Sequence, residues 1–191
     1  LEGIKRGIVL FYPSLYGKHK NFDTLMEAMA ELVRRGRDVR LFLTCAVDPN
    51  GSRYEQRTWK LMEEHALRDR ITFHGSVGYH YMPRIYNAAD VVVWPSFAES
   101  FGHPLLEAMA CGKPIVSSGI VCNREMARDA ALYFDTFNAT DFADKVEEAL
   151  DSATAKRLAE AGERRVRDFS WKRHVERFID VFRKLSEMKN G

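Results

Sequence analysis

Two glutamates on either side of a glycine turn are the residues of this chain best suited to ligand chemistry. Glu99 and Glu107 flank the segment SFGHPLL, inside the longer run AESFGHPLLEAMACGKPIVSS from Ala98 to Ser118. An ionised carboxylate can accept hydrogen bonds from neighbouring donor groups of a ligand. Taken singly, a glutamate in a loop or near a helix start is usually a solvated charge. The turn between the two is what favours a site.

That turn combines a glycine with a helix opened by proline. Gly102 lets the backbone approach a ligand, and Pro104 suits a first helical position, where its missing N–H has no partner to lose. The sequence predicts a helix over Pro104–Cys111, ended by Gly112. Because the first N–H groups of a helix are unpaired and its dipole is positive there, this turn favours an anion such as a phosphate.

Helical spacing assigns the faces of this short helix. Leu105 with Met109, and Leu106 with Ala110, lie four residues apart and are expected to form the buried stripe. Glu107 falls on a different stripe, which we expect to face the loop side.

A basic loop precedes the first predicted helix. The segment YPSLYGKHKNF places Lys18, His19 and Lys20 directly before that helix, which Asn21 can cap. Lysines there can neutralise the charge of an anion such as a phosphate. The alternative is that Lys18 and Lys20 are solvated loop charges.

Apolar runs alternate with helical periodicity along the chain, which is typical of βα units around a parallel sheet. Predicted strands are Ile8–Tyr12, Val39–Thr44, Ile71–Phe73, Asp90–Trp94, Pro114–Ser117 and Ala131–Tyr133. The other predicted helices are Phe22–Arg35, Arg53–Ala66, Met82–Ala88, Arg124–Asp129, Thr140–Leu150, Ala153–Asp168 and Trp171–Met188. The pattern predicts a doubly wound α/β fold, in which ligands bind outside the carboxyl ends of the strands. Glu99 to His103 follows such a strand end.

Length and composition bound the class of protein. The 191 residues are 46% hydrophobic and 29% charged, with a net charge of +2, which predicts one domain and argues against nucleic acid as partner. Cys45, Cys111 and Cys122 are odd in number and widely spaced, so neither a disulfide framework nor a zinc site is indicated. A reduced, cytoplasmic setting fits best. The chain begins at Leu1 without a methionine, which fits a piece of a longer protein.

The C-terminal segment is basic and amphipathic. Trp171, Val175, Phe178 and Phe182 recur at near-helical spacing, and Ser170 can cap their helix. We expect this apolar stripe to pack on the domain. Interspersed acidic residues reduce the positive charge of the segment, which makes binding to an anionic surface less favourable. The alternative is peripheral contact with a membrane surface.

The chain resembles the retaining glycosyltransferases of family 4. ESFGHPLLEAMACGKPIV resembles their E-x7-E signature, in the donor-binding C-terminal domain of the GT-B fold. The resemblance extends in order over HKNFDTLMEAMAEL, ITFHGSV, YNAADVVVWPS and REMARDAALYFD. It implies a Rossmann-like sheet of about six strands in a single nucleotide-sugar-binding domain, residues 1–191, with the N-terminal acceptor domain absent. In two-domain relatives the last helix crosses back toward that partner domain, which would also explain the apolar stripe.

The resemblance implies roles for the residues around the signature. Glu99 and Lys20 would be the catalytic residues, with Glu99 beside the donor sugar and Lys20 at its phosphates. Backbone N–H groups of Phe101, Gly102 and His103 would approach the sugar and the diphosphate. Glu107 would accept hydrogen bonds from the ribose hydroxyls.

Two further contacts are implied around the nucleotide. Ser14 stands where the family commonly has an arginine. Either Lys18 replaces that basic phosphate contact, or the phosphates are bound by Lys20 and backbone N–H groups alone. The loop His74–Val77 resembles the base-binding loop, with Gly75 and Val77 as its contacts. A strand-end histidine with a satisfied ring is the alternative for His74.

The function implied is transfer of a hexosyl group, with retention, from a UDP- or GDP-linked sugar to a carbohydrate or lipid-linked acceptor. No cofactor is expected, and because the sequence has no Asp-x-Asp, no metal is expected either. The expected partner is an N-terminal GT-B domain. Two alternatives remain: a non-catalytic nucleotide-sugar- or partner-binding module, and a nucleotide-sugar epimerase, whose site lacks this glutamate series.

Overall fold

The architecture is a six-stranded, all-parallel sheet with its strands in the order β3-β2-β1-β4-β5-β6. It is given by a computed structural model that describes residues 7–189. The strands are β1 Ile8–Tyr12, β2 Val39–Leu43, β3 Ile71–Phe73, β4 Val91–Trp94, β5 Ile115–Ser118 and β6 Leu132–Phe134. Strands β4 and β5 are buried at every position, as expected of central parallel strands covered on both faces. The predicted strands are confirmed, with ends that differ by at most one residue.

Helices cover the sheet. They are α1 Phe22–Arg34, α2 Arg53–Glu64, α3 Met82–Ala88, α4 His103–Ala110, α5 Val121–Ala127, α6 Ala139–Leu150, α7 Ser152–Val166 and α8 Trp171–Lys189. Helix α1 packs against α2 and α6, whereas α4 packs against α5 and α7. The predicted helix Arg124–Asp129 is wrong in position, because α5 begins three residues earlier and ends where Arg128 takes a positive φ of 49°.

The buried face of helix α4 differs from the predicted stripe. Leu105 and Met109 are buried as expected, and Ala108 completes the buried face. The predicted burial of Leu106 and Ala110 is wrong, because Leu106 is half-buried and Ala110 is exposed. The reason is the packing of α7: a Cβ on Gly162 would lie 3.0 Å from Cγ of Met109. This glycine therefore lets α7 approach α4 closely and fixes the helix that carries Glu107.

Helix α8 does not pack on the domain, so that prediction is wrong. Every residue from Trp171 to Met188 is exposed, including the apolar stripe, and Trp171 is 82% exposed. Ser170 does cap the helix, since its Oγ accepts the Arg173 N–H at 3.2 Å. No helix among residues 7–189 is both long and apolar enough to cross a bilayer.

Candidate functional site

Two loops meet at the centre of the sheet. Strands β1 and β4 are neighbours, and the strand order runs in opposite directions from this pair, which makes it the topological switch point. Residues 13–21 leave the carboxyl end of β1, and residues 95–102 leave that of β4. The sequence therefore delivers the basic loop and the first glutamate to one crevice.

Hydrogen bonds tie these two loops together. The hydroxyl of Tyr12, buried at the end of β1, lies 3.0 Å from Oγ of Ser96 and donates to the Lys20 carbonyl at 3.1 Å. The Phe97 N–H donates to the His19 carbonyl at 2.9 Å. Burial raises the pKa of Tyr12, so its hydroxyl stays a donor. The backbone that carries Lys20 is thereby held against the loop that carries Glu99.

Asn21 holds the same loop by a different means from the predicted helix cap. It adopts a left-handed conformation with φ 57°, and its side chain makes no capping bond to α1. Instead its amide Nδ2 donates to the carbonyls of Pro95 at 3.1 Å and Thr136 at 2.8 Å. Thr24 in turn donates to its Oδ1 at 2.9 Å. A buried asparagine thus joins the loops that follow β1, β4 and β6.

Lys20 and Glu99 form an ion pair in the crevice. Nζ of Lys20 lies 2.7 Å from Oε1 of Glu99, and the two side chains are only 14% and 11% exposed. The ammonium also lies 4.8 Å from the ring centre of Trp94, a cation–π distance. Each of these two partly buried charges therefore has a partner of opposite charge. This matters because burying an unpaired charge is energetically costly.

The second glutamate, Glu107, is held by two tyrosines. The hydroxyl of Tyr86 on α3 donates to Oε2 at 2.7 Å, and that of Tyr79 donates to Oε1 at 3.1 Å. Tyr86 is buried and Tyr79 is 76% exposed. Burial and then the Glu107 charge raise the pKa of Tyr86, and the Glu107 charge raises that of Tyr79. Both phenols are therefore protonated donors at neutral pH.

Glu107 and Tyr79 line an open cavity of about 290 Å³ at the carboxyl edge of the sheet. Val77 lies on its wall, after Gly75, which needs its left-handed φ of 75° to turn the chain out of β3. Ser14 belongs to the lining as well. The full lining is Pro13, Ser14, Leu15, Thr44, Ser76, Val77, Tyr79, Met82, Pro104 and Glu107.

The remaining predicted residues lie around these groups. Gly102 precedes α4 with φ 78°, a left-handed value that suits glycine, and the first N–H groups of α4 follow it. The Phe101 ring packs 4.6 Å from that of His103 and 6.1 Å from that of Phe169. Lys18 is exposed, with its ammonium 5.3 Å from the ring centre of Tyr54 on α2. Lys18 thus points to α2, whereas Lys20 faces Glu99.

The structure also places His74, whose role stays a prediction, and two tyrosines that the sequence did not single out. His74 is exposed at the end of β3, with its ring 5.6 Å from that of Phe42. Tyr79 and Tyr86 were missed, because no spacing in the sequence relates them to Glu107. One signal could have pointed to Tyr79. It directly follows the loop after β3, and in this fold that loop lies at the carboxyl edge of the sheet, beside the switch point.

The fold and its crevice define the class of protein: an α/β domain of the Rossmann type, with a crevice at the switch point. The family model described as "Glycosyl transferases group 1" matches residues 2–165. The chain belongs to this family.

Relatives and solved structures agree with that family. The chain is 33% identical over 191 residues to D-inositol 3-phosphate glycosyltransferase from Saccharomonospora viridis, covering 96% of this chain and 44% of that protein. It is 32% identical over 128 residues to O-antigen chain mannosyltransferase B from Escherichia coli, covering 66% of this chain and 34% of that protein.

Among solved structures, sucrose-phosphate synthase from Thermosynechococcus elongatus superposes with a TM-score of 0.82 at 29% identity, covering 96% of this chain and 46% of that one. The fold is thus the C-terminal half of a GT-B glycosyltransferase. The chain spans less than half the length of these proteins.

Proposed function

We propose that this chain is the donor-binding half of a retaining glycosyltransferase, which moves a hexosyl group from a UDP- or GDP-linked sugar to an acceptor hydroxyl. One observation carries the proposal. The Gly102 turn has a carboxylate on each side, Glu99 paired with Lys20 at the switch point and Glu107 on the wall of the adjacent cavity. A ligand with a phosphate between two hydroxyl-bearing sugars matches this order of groups.

Each part of such a donor has a matching group. The ribose hydroxyls would bind to the Glu107 carboxylate, and the base would lie against the loop that contains Gly75 and Val77. The diphosphate would then meet the N–H groups of Phe101, Gly102 and His103 at the start of α4. The sugar would extend toward Glu99, whose carboxylate can accept its hydroxyl hydrogen bonds.

Lys20 would assist the departure of the leaving group. When the bond from the anomeric carbon to the phosphate oxygen breaks, negative charge grows on the nucleoside diphosphate. Lys20 and the N-terminus of α4 present fixed positive ends to that charge, which lowers the barrier without a metal ion. The packing of Lys20 against Trp94 and Glu99 holds the ammonium in place before the ligand arrives. Lys18, given its direction toward α2, would contribute at longer range.

The acceptor would be held by a further domain. The relative from Saccharomonospora viridis is more than twice as long as this chain, and the exposed apolar face of α8 is suited to pack against such a domain. One structural neighbour, from Anabaena, is described as a complex with UDP and glucose, which supports a nucleotide sugar as the ligand class.

Calorimetric titration with uridine, guanosine and adenosine diphosphates tests the proposal. At least one should bind, and Glu107→Ala should weaken that binding by about 1.5–3 kcal/mol through loss of a charged hydrogen-bond acceptor. Glu160→Ala, on the exposed face of α7, is the control and should leave the affinity unchanged. If the folded wild-type chain binds none of the three, the proposal is wrong.

A further inference from the structure

The two tyrosines that hold Glu107 differ in a way that matters for any ligand of this carboxylate. Tyr86 is buried and is not part of the cavity lining, and its ring lies 5.1 Å from that of Phe11 in an edge-on contact. Tyr79 lies on the cavity wall and is 76% exposed. The Tyr86–Glu107 hydrogen bond therefore comes from the core, whereas the Tyr79–Glu107 bond lies on the surface that a ligand would cover.

This difference decides which bond can persist when a ligand binds. A vicinal diol binds a carboxylate best by donating to both of its oxygens. Tyr86 is buried and does not line the cavity, so its bond to Oε2 leaves the cavity side of the carboxylate to a ligand. Tyr79 reaches Oε1 from the cavity itself, so its hydroxyl occupies a position that a ligand hydroxyl needs.

From this geometry we infer that Tyr86 is a positioning residue that orients Glu107 for a ligand diol, and that Tyr79 competes with the ligand for the same carboxylate. This inference rests on the proposed function, because it concerns how that site recognises the ribose. Tyr86 donates in both the free and the bound states and restricts rotation of the carboxylate. The Tyr79 bond exists only in the free state, so its strength is subtracted from ligand affinity.

Removing the same atom from each tyrosine should therefore have opposite effects. Tyr86→Phe should weaken binding of the nucleoside diphosphate about five- to tenfold, because the carboxylate loses a donor that orients it. Tyr79→Phe should strengthen binding about two- to fivefold, because the competing hydroxyl is gone. Tyr81→Phe is the matched control: its ring packs 3.9 Å from that of His80, and the affinity should stay within about twofold of wild type.

The measurement is calorimetric titration of the three variants with the tightest-binding nucleoside diphosphate and with its 2′,3′-dideoxy form. Both effects should vanish with the dideoxy ligand, a dependence that a general loss of structure would not produce. If both tyrosine variants change the affinity in the same direction, or if the effects persist without the diol, the inference is wrong and the proposed function stands. If wild type binds neither ligand, the proposed function is wrong as well. Should Tyr86→Phe fail to fold, unchanged or weaker binding by Tyr79→Phe alone overturns the inference.

Discussion

At the scale of single residues, the Lys20–Glu99 ion pair determines how much positive charge the crevice offers. With Nζ 2.7 Å from Oε1, the lysine is already neutralised by its neighbour in the free protein. In the proposed complex a diphosphate would share this ammonium with Glu99, and the first turn of α4 would supply the rest of the attraction. The ion pair therefore fixes the position of Lys20 but weakens the attraction of its ammonium for an anionic ligand.

Replacing Lys20 tests this account of phosphate recognition. Lys20→Ala should reduce affinity for a nucleoside diphosphate about tenfold or more, because a charge-assisted hydrogen bond is lost and Glu99 is left unpaired. Affinity for the bare nucleoside should stay within about twofold. Calorimetry on both ligands gives the comparison.

The complementary variant is Glu99→Gln, which releases the lysine from its carboxylate. It should strengthen binding of the diphosphate. An equal loss for nucleoside and diphosphate in Lys20→Ala would mean that the lysine acts through loop structure alone.

Single residues also mark the limit of what the sequence could predict. Glu99, Glu107 and Lys20 were found because the turn, the proline and the loop are local patterns, and the structure places all three at the carboxyl edge of the sheet. Tyr79 and Tyr86 were not found, because their contacts with Glu107 depend on how α3 sits against α4. Packing of two helices fixes such distances, and no spacing along the chain encodes them.

At the scale of elements, strand and helix positions followed from periodicity, and the errors lie at helix ends and faces. Helix α5 ends where Arg128 takes φ 49° and ψ −120°, a conformation that costs any residue with a Cβ. The sequence offered no glycine there to signal the stop. The prediction for Asn21 failed for a similar reason. Its backbone is left-handed, and its side chain bonds to two loops instead of capping α1.

The backbone of Arg128 yields a stability prediction. Arg128→Gly should raise the free energy of unfolding by about 1 kcal/mol, because relief of the strained φ exceeds the added entropy of the unfolded chain. Arg128→Ala removes the same exposed side chain but keeps the Cβ, so it serves as the control and should change little. Urea unfolding measures both. If the free energy of unfolding of Arg128→Gly is no higher than that of Arg128→Ala, the backbone of Arg128 is not strained.

Helix α8 yields a second prediction at this scale. A chain that ends at Ser170 should unfold with a free energy within about 0.5 kcal/mol of the full chain, because α8 buries none of its described side chains. Phe169, which packs 6.1 Å from Phe101, is retained in this truncation. A loss of more than about 2 kcal/mol would mean that α8 packs on the domain, since that is the size expected for buried apolar side chains.

At the scale of the whole molecule, the crevice between β1 and β4 presents one face of a site. Orienting donor and acceptor together is worth about 7–11 kcal/mol in well-aligned reactions, and that requires a second surface. We therefore predict that this chain binds a nucleoside diphosphate sugar but transfers the sugar no faster than the uncatalysed reaction. An assay with nucleotide sugars and several acceptors checks this, and an added acceptor domain should restore turnover. Robust transfer by the chain alone would refute it.

The most direct test of the central claim is a crystal structure of this chain with the nucleoside diphosphate that binds most tightly. The account predicts ribose hydroxyls on the Glu107 carboxylate, with Tyr79 displaced and Tyr86 still bonded to Oε2. It also predicts phosphate oxygens at Lys20 and at the first turn of α4, within hydrogen-bond distance of about 3 Å. A nucleotide bound with its ribose away from Glu107, or with its diphosphate away from Lys20, would contradict it.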